Sequence, residues 1–253
     1  MAISARTRLV ALLGHPVAHS LSPRMQNAAF AARGLDWAYV ALDVPPERLE
    51  EAARGLAAAG FAGANVTAPH KLAAARVCDE ADAESVNTLV FQHGRIVGTS
   101  TDAAVLDVSA RQSLGRVSIV GDGGAALAFV AAVPGARVFS RRGDWPPDVR
   151  DADLVVHATP VKDDVLFELR KGQTLVDLPY PETATGTAAR EAGANVIVGL
   201  EVLVAQGAVA FELWTGVPAP VEVMRRALGI ARDADFRMPG SPRHPSEPTG
   251  RSE

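Results

Sequence analysis

Short apolar runs alternate with helical patterns along the N-terminal part of the chain. Apolar runs bounded by glycine or proline are typical of strands, and apolar positions at helical spacing are typical of helices. The pattern predicts strands over residues 9–13, 37–44 and 61–67, helices over 22–34 and 46–60, a short helix over 71–77, a hairpin over 86–98 and a helix from 100 to about 112. Strands that alternate with helices indicate a mostly parallel sheet with right-handed crossovers.

The pattern starts again beyond residue 115. An apolar run over 116–120 leads into a glycine-rich turn and a helix of small residues, and the later elements are strands over 136–140, 153–158, 174–177 and 195–198, with helices over 187–193, 201–214 and 220–228. Only residues 142–152, with Pro146-Pro147 among them, separate the second and third of these strands. A parallel crossover usually needs about a dozen residues or more. We therefore expect this unit to have lost a crossover helix.

Polar side chains follow the predicted strand over 61–67, where the next helix begins. Asn65, Thr67 and Lys71 should cluster there, with Ser22 as the N-cap of the earlier helix and Pro69 in the first turn of this one. Open α/β sheets bind ligands at the carboxyl ends of their strands. An amide, a hydroxyl and an ammonium can hold a small polyhydroxy or carboxylate substrate, and Lys71 can exchange a proton with it. The alternative is an ordinary turn with a solvated lysine.

The glycine-rich turn is a second candidate site. A strand, a turn with Gly121, Gly123 and Gly124, and then a helix is the arrangement that binds dinucleotides, because glycine lets backbone N–H groups approach a pyrophosphate. Arg141 and Arg142 end the next strand. Arginine there suits the extra phosphate of NADP, whereas an acidic residue would bind the ribose hydroxyl of NAD. The alternative is a pair of solvated surface arginines.

Composition narrows the class of protein. The 253 residues, 48% of them hydrophobic, suffice for one large domain or two of ordinary size, and the net charge of −4 gives no support for nucleic-acid binding. Cys78 is the only cysteine, which suits a reducing cytoplasm, and no apolar stretch approaches the ~20 residues of a membrane span. His15, His19 and His70 show no metal-ligand spacing. We expect a cytoplasmic protein with no membrane, nucleic-acid or metal partner.

Short motifs occur along the chain in a fixed order. They are Gly14-x-Pro16-x-x-His19-Ser20-x-Ser22-Pro23, Asn65-Val66-Thr67-x-Pro69-x-Lys71, Val86-Asn87-Thr88, Thr101-Asp102, Gly121-x-Gly123-Gly124-Ala125, Ala158-Thr159-Pro160, Asp177-x-x-Tyr180, and Gly199-x-x-x-Leu203-Val204-x-Gln206. From residue 9 to about residue 228 the chain thereby resembles the shikimate dehydrogenase family. The resemblance implies a two-domain α/β fold: an open α/β substrate domain over 1–105, completed by helices in 201–232, and a trimmed Rossmann-like NADP-binding domain over 106–200. Residues 235–253 are expected to be a disordered tail.

The resemblance also implies an activity and a set of site residues. The activity is the reversible, NADPH-dependent reduction of 3-dehydroshikimate to shikimate, in aromatic amino-acid biosynthesis, with Lys71 and Asp102 as the catalytic pair. Reducing a ketone by hydride leaves an alkoxide, so a proton donor is needed beside that oxygen. The implied substrate-binding residues are Ser20, Ser22, Asn65, Thr67, Asn87, Tyr180 and Gln206. The implied cofactor-binding residues are Gly121, Gly123, Gly124, Ala125, Ser140, Arg141, Arg142, Thr159, Leu178 and Gly199.

The cofactor half departs from the family pattern, while the substrate motifs are intact. Ser140-Arg141-Arg142 stands in place of Asn-Arg-Thr, and Val202 in place of a methionine that lies against the nicotinamide. A quinate/shikimate dehydrogenase with altered cofactor use and a non-catalytic shikimate-binding homologue are therefore alternatives. Another two-domain dehydrogenase, such as the methylene-tetrahydrofolate type, is disfavoured by the serine motif and by Gln206. Monomer and homodimer are both compatible with the family.

Overall fold

The structure, a computed structural model, describes residues 3–106 and 114–230. Its N-terminal part is built on one six-stranded sheet, and helices lie in the crossovers between its parallel strands. The elements are β1 (Arg8–Gly14), α1 (Ser22–Ala32), β2 (Trp37–Asp43), a 3-10 helix (Pro46–Arg48), α2 (Leu49–Ala58), β3 (Gly63–Val66), α3 (Lys71–Val77), β4 (Glu80–Ala81), β5 (Thr88–Gln92), β6 (Arg95–Thr99) and a second 3-10 helix (Asp102–Val105).

Strand directions in this sheet explain why distant polar residues meet. The strand order is β2-β1-β3-β5-β6-β4; β1 is parallel to β2 and β3, whereas β5 is antiparallel to β3 and to β6. Asn65 near the end of β3 is opposite Thr88 at the start of β5, and Thr88 is opposite Thr99 at the end of β6. The residues that follow β3, precede β5 and follow β6 therefore lie at one edge. The sheet is mixed: β1, β2 and β3 form the expected parallel part, and β4 is parallel to β6.

The second sheet is fully parallel. Its elements are β7 (Val117–Val120), α4 (Gly124–Ala132), β8 (Arg137–Phe139), β9 (Leu154–His157), β10 (Thr174–Asp177), α5 (Ala184–Glu191) and β11 (Asn195–Val198). The strand order is β11-β10-β9-β7-β8, so the chain order reverses between β7 and β9, and a crevice opens at such a switch point. Residues 140–153 join β8 to β9 without a helix, which confirms the predicted loss of a crossover helix.

The last two helices, α6 (Gly199–Thr215) and α7 (Val221–Ala227), return to the first sheet. The ring of Phe211 stacks on Phe30 of α1 with centroids 5.3 Å apart, and Trp214 Nε1 donates to the Leu89 carbonyl at 2.9 Å. Earlier in α6, Val202 packs into the core of the second sheet. Helix α6 therefore belongs to both hydrophobic cores. None of the helices in residues 3–106 and 114–230 is long and apolar enough to cross a bilayer.

Three local predictions need correction or lie partly outside the described residues. Helix α1 begins at Ser22 with Leu21 as its N-cap, because Leu21 already has right-handed helical backbone angles, and no side chain caps the helix. Pro69 lies in the turn before α3, which begins at Lys71. After β6 the structure shows only a 3-10 helix; the rest of the helix predicted to reach residue 112, and the predicted tail over 235–253, fall among residues that are not described.

Candidate active site

A cavity of about 190 Å³ lies at the edge where the two sheets face each other. All nine residues that were predicted to be catalytic or substrate-binding line it: Ser20, Ser22, Asn65, Thr67, Lys71, Asn87, Asp102, Tyr180 and Gln206. Tyr180 follows a strand of the second sheet and Gln206 lies on α6, so residues from both parts of the chain contribute. The strand directions described above bring the other seven together.

An ion pair occupies the cavity wall. Lys71 is the first residue of α3 and Asp102 is the first residue of the 3-10 helix after β6, and Lys71 Nζ lies 2.5 Å from Asp102 Oδ2. Their side chains are 16% and 10% exposed. At this degree of burial the attraction is screened less than at the surface. The carboxylate therefore fixes the ammonium at the cavity, where an ammonium can stabilise a developing oxyanion and protonate it.

Asn87 connects the pair to the rest of the cavity. Its Nδ2 group donates to Asp102 Oδ1 at 2.9 Å, to Thr101 Oγ1 at 3.0 Å and to Gln206 Oε1 at 3.3 Å, and its Oδ1 accepts from the Thr101 N–H at 2.7 Å. One amide thus joins the start of β5, the turn after β6 and helix α6. Buried polar networks of this kind fix a single arrangement of their members. Sequence motifs named Asn87 but gave no sign of this bridging position.

Asn65 is held by a residue that sequence reasoning missed. The Tyr39 hydroxyl donates to Asn65 Oδ1 at 2.8 Å, while Asn65 Nδ2 donates to the Asn87 carbonyl and to Thr88 Oγ1, each at 3.1 Å. Burial raises the pKa of Tyr39 far above its usual value, so its hydroxyl remains a donor. Both N–H groups of Asn65 are used, and its Oδ1 retains one acceptor position for a ligand hydroxyl. The alternation along β2 indicates only that Tyr39 points inward.

Neutral hydroxyl groups gather at another side of the cavity. Tyr180, from the second part of the chain, lies near Ser20 and near the backbone of Leu21. Burial raises the pKa of Tyr180, and the interactions with Ser20 and with the Leu21 backbone oppose the rise only in part. The Ser22 N–H donates to Ser20 Oγ at 3.3 Å, which brings both serines to the same place. Three neutral hydroxyl donors close together suit an anionic group of a ligand, such as a carboxylate.

The three glycines of the turn after β7 have different local surroundings. Gly121 has φ 129°, and a Cβ there would lie 2.7 Å from the Ala158 carbonyl oxygen. A Cβ at Gly124 would lie 2.8 Å from Lys71 Cβ, so α4 packs directly against the start of α3. At Gly123, by contrast, a Cβ would meet nothing within 4 Å. Only Gly123 faces open space, and it is the N-cap of α4, where backbone N–H groups favour an anion.

A groove of about 470 Å³ lies beside this turn at the switch point of the second sheet. Six of the ten predicted cofactor residues line the groove: Gly121, Gly123, Ser140, Arg141, Arg142 and Thr159. Ala125, Leu178 and Gly199 line the neighbouring cavity instead, together with Val202, and Gly124 lines neither. Backbone N–H groups at an open helix N-terminus and two guanidinium groups fit a phosphorylated dinucleotide. Small and apolar residues thus line the cavity together with Lys71.

The two arginines of the groove differ in their partners. Arg142 is largely exposed, and its Nη1 lies 3.8 Å from Asp122 Oδ2, so a carboxylate offsets part of its charge. Arg141 instead lies over an aromatic ring, with its Cζ 5.4 Å from the ring centroid of Trp145. Trp145 comes from the link that replaces the crossover helix, and it was not among the predicted site residues. Nothing in the local pattern around Pro146-Pro147 indicated that this tryptophan would reach the groove.

A buried chain of hydrogen bonds supports Thr159 at the groove. His157 Nδ1 lies 2.8 Å from Asp177 Oδ1, and His157 Nε2 lies 2.7 Å from Thr159 Oγ1. Asp177 also accepts from the N–H and the hydroxyl of Thr183 at 2.9 and 3.1 Å. Because the Asp177 carboxylate accepts a hydrogen bond from the Nδ1–H group, the Nε2 atom accepts a hydrogen bond from the Thr159 hydroxyl. The Thr159 oxygen therefore faces the groove as an acceptor. Sequence reasoning did not identify His157.

These features define the class of protein. A parallel sheet with a glycine turn at its switch point, and an adjacent polar cavity with a lysine–carboxylate pair, are the parts of a two-domain, dinucleotide-dependent oxidoreductase. Within that class the chain belongs to the shikimate dehydrogenase family. Residues 12–89 match the family model for the shikimate dehydrogenase substrate binding domain, and residues 199–228 match that for the shikimate 5'-dehydrogenase C-terminal domain.

Individual relatives support this membership over nearly the whole chain. The chain is 40% identical to the shikimate dehydrogenase (NADP(+)) of Methanopyrus kandleri, over 90% of this chain and 97% of that protein. The crystal structure of shikimate dehydrogenase from Aquifex aeolicus matches with a TM-score of 0.81 and 31% identity, covering 92% of this chain and 100% of that one. The shikimate 5-dehydrogenase of Thermus thermophilus, solved with NADP(H) and shikimate, matches with a TM-score of 0.76 and 32% identity, covering 87% and 98%.

Proposed function

We propose that this protein is an NADP-dependent shikimate dehydrogenase, which reversibly reduces 3-dehydroshikimate to shikimate in aromatic amino-acid biosynthesis. The observation that carries the proposal is the Lys71–Asp102 pair in a cavity that also holds hydroxyl and amide groups and adjoins a dinucleotide groove. The curated relatives compared with it bear the name shikimate dehydrogenase (NADP(+)). Neither the quinate-type nor the non-catalytic alternative is favoured.

Substrate binding follows from the types of groups in the cavity. We assign the substrate carboxylate to the hydroxyl groups of Ser20, Ser22 and Tyr180, because neutral donors bind an anion without a competing charge nearby. The substrate hydroxyls are assigned to the remaining polar residues of the cavity: Asn65, Thr67, Asn87 and Gln206. Since Asn65 has only one acceptor position left, its contribution is a single hydrogen bond from a substrate hydroxyl.

The catalytic step assigned to the pair is proton transfer at the carbonyl oxygen. NADPH, when bound, supplies the hydride that reaches the carbonyl carbon, and the electron pair of the carbonyl π bond moves to oxygen. Lys71 Nζ donates a hydrogen bond to that oxygen and transfers its proton as the alkoxide forms. Asp102 orients the ammonium and accepts a hydrogen bond from a neighbouring substrate hydroxyl. The cavity side with Ala125, Leu178 and Val202 excludes water from this oxygen.

The proposal includes how the chain is divided. Residues 1–105 with 201–232 are taken as the substrate domain and 106–200 as the NADP domain. The packing of Phe211 on Phe30, and the burial of Met224 in the same core, support counting α6 and α7 with the first sheet. A cytoplasmic location is also proposed, because the single cysteine suits a reducing compartment. Monomer and homodimer both remain predictions of the resemblance.

The experiment that tests the activity follows the absorbance of reduced nicotinamide. Purified protein is given shikimate with NADP in one reaction and with NAD in another. We expect a rate with NADP and a smaller rate, or none, with NAD, because Arg141 and Arg142 suit the extra phosphate. No change in absorbance in either reaction, with shikimate binding still seen by calorimetry, would indicate a binding protein without turnover. A rate with NAD that equals the rate with NADP would remove the arginines from the phosphate site.

A further inference from the structure

The link over residues 140–153, which replaces a crossover helix, is held by hydrogen bonds near both ends. At its start the Ser140 N–H donates to the Asp144 carbonyl at 3.1 Å, and the Gly143 N–H donates to the Ser140 carbonyl at 3.0 Å. Near its end the buried Gln173 Nε2 donates to the carbonyls of Val149 and Ala152, at 3.0 and 2.6 Å. A link held in this way can present a side chain in a defined position. Besides Ser140, Arg141 and Arg142 at its start, the link presents Trp145 to the groove.

Trp145 stands out among the aromatic residues of the chain. It is 37% exposed, whereas the other two tryptophans, Trp37 and Trp214, are buried in the core of the first sheet. A large exposed aromatic side chain beside a binding groove suits contact with a ligand or with a ligand-binding side chain. Arg141 provides such a contact, since its Cζ lies 5.4 Å from the Trp145 ring centroid. That separation is within the ~6 Å over which a guanidinium is attracted to an aromatic face.

Arg141 is also the arginine whose charge is the more available. No carboxylate forms an ion pair with Arg141 among the residues that the structure describes, whereas Arg142 has Asp122 within 3.8 Å. A guanidinium held over an aromatic ring can still donate its N–H groups to another partner. Holding the side chain in this way also reduces the rotamer freedom that must be lost when it binds a phosphate.

We propose that Trp145 is a positioning residue for the 2′-phosphate of NADP, and that it acts through Arg141. It determines specificity for NADP over NAD without touching the reacting atoms. The inference rests on the proposed use of NADP and adds a residue from the shortened link to the phosphate site. The link that replaces the crossover helix thus supports Arg141, whose charge selects the cofactor.

The test compares two small ligands that differ only in the phosphate in question, 2′,5′-ADP (adenosine 2′,5′-bisphosphate) and 5′-AMP. Their dissociation constants are measured by calorimetry for the wild type and for Trp145→Ala, Trp145→Phe, Arg141→Ala and the double variant Arg141→Ala/Trp145→Ala. We expect Trp145→Ala to weaken the binding of 2′,5′-ADP by about three- to tenfold and that of 5′-AMP by less than about twofold, with Trp145→Phe close to the wild type. The double variant should bind 2′,5′-ADP about as weakly as Arg141→Ala alone, because the tryptophan acts through the arginine.

Tryptophan fluorescence gives a second readout that does not depend on activity. Since Trp145 is the exposed tryptophan, 2′,5′-ADP should change the emission of the wild type, and this change should disappear in Trp145→Phe. Val138→Ala, which removes another exposed apolar side chain from β8, serves as the control and should bind both ligands normally. Thermal unfolding of each variant checks that the fold is intact.

The outcomes separate the inference from the proposed function. Equal weakening of 2′,5′-ADP and 5′-AMP binding in Trp145→Ala would mean that Trp145 contacts the purine, and would overturn its role at the phosphate. Losses that add up in the double variant would show that the two residues act independently, and would also overturn it. Failure of the wild type to bind 2′,5′-ADP at all would overturn the NADP assignment together with the inference.

Discussion

The substrate cavity and the cofactor groove both lie at the carboxyl ends of parallel strands, but their polar groups are held differently. In the cavity, Asn65, Asn87 and Asp102 are buried and bonded to one another or to neighbouring backbone. In the groove, Arg141 and Arg142 are exposed, and their contacts are a ring face and a distant carboxylate. Changes in the cavity should therefore affect turnover and stability together. Changes at the arginines should affect cofactor affinity alone.

The largest effect is expected from removing the ammonium in the cavity. Lys71→Ala should lower kcat by about 10²–10⁴, the scale of losing a general acid–base group, while shikimate binding changes little. Steady-state kinetics and calorimetry with shikimate measure the two quantities. Lys171→Ala, at an exposed lysine, is the matched control and should behave as the wild type. Near-normal turnover in Lys71→Ala would contradict the catalytic assignment.

Removal of the bridging amide should damage both catalysis and folding. Asn87→Ala leaves the Thr101 N–H without its acceptor and Asp102 without one donor, so we expect the free energy of unfolding to fall by about 1–3 kcal/mol. Misplacement of Asp102 should also lower kcat by about 10²-fold. Urea unfolding and kinetics measure these changes, with the exposed Asn195→Ala as control. A loss of stability with unchanged kcat would show that the network supports the fold but not the chemistry.

In the groove, the expected effect is smaller and confined to affinity. Arg141→Ala should raise the KM for NADP about tenfold, and the KM for NAD hardly at all, with kcat and stability retained. Because these charges are exposed, added salt should weaken NADP binding in the wild type more than in the variant. Arg150→Ala removes an arginine from the same link, outside the groove lining, and is the control. Equal changes for NADP and NAD would place Arg141 away from the phosphate.

The last comparison concerns the reactivity of thiols in the two halves. Burial raises the pKa of Cys78 to about 11, so below that pH the thiol is mostly protonated and unreactive. Alkylation by iodoacetamide near pH ~8 should be about 100-fold slower than for an ordinary thiol, and should speed up steadily as the pH rises. In Ser140→Cys, the exposed thiol in the groove should react at an ordinary rate and provide the comparison. Fast alkylation of Cys78 would show that the substrate half opens readily.

The sequence allowed the strands and the cavity residues to be predicted better than the contacts among them. Periodicity places strands at 9–13 and 61–67 because their apolar residues are consecutive, and the motifs named Lys71 and Asp102. The bond between Tyr39 and Asn65 depends instead on the register of three strands, which no local pattern encodes. Strand β4, only two residues long, is too short to leave a periodic signal. The contact of Gly124 with Lys71 depends on how the two sheets face each other.

The shared helix α6 also affects how the protein is made. During synthesis the chain emerges from its N-terminus, and domains generally begin to fold as they emerge. Phe30 and Trp37 come early, but their packing partners Phe211 and Trp214 come only after the whole second sheet has been translated. The first sheet therefore keeps part of its apolar face uncovered until α6 has been translated, although the second sheet already has all its strands. We expect the nascent first sheet to be the part of the chain most prone to aggregation until α6 has been translated.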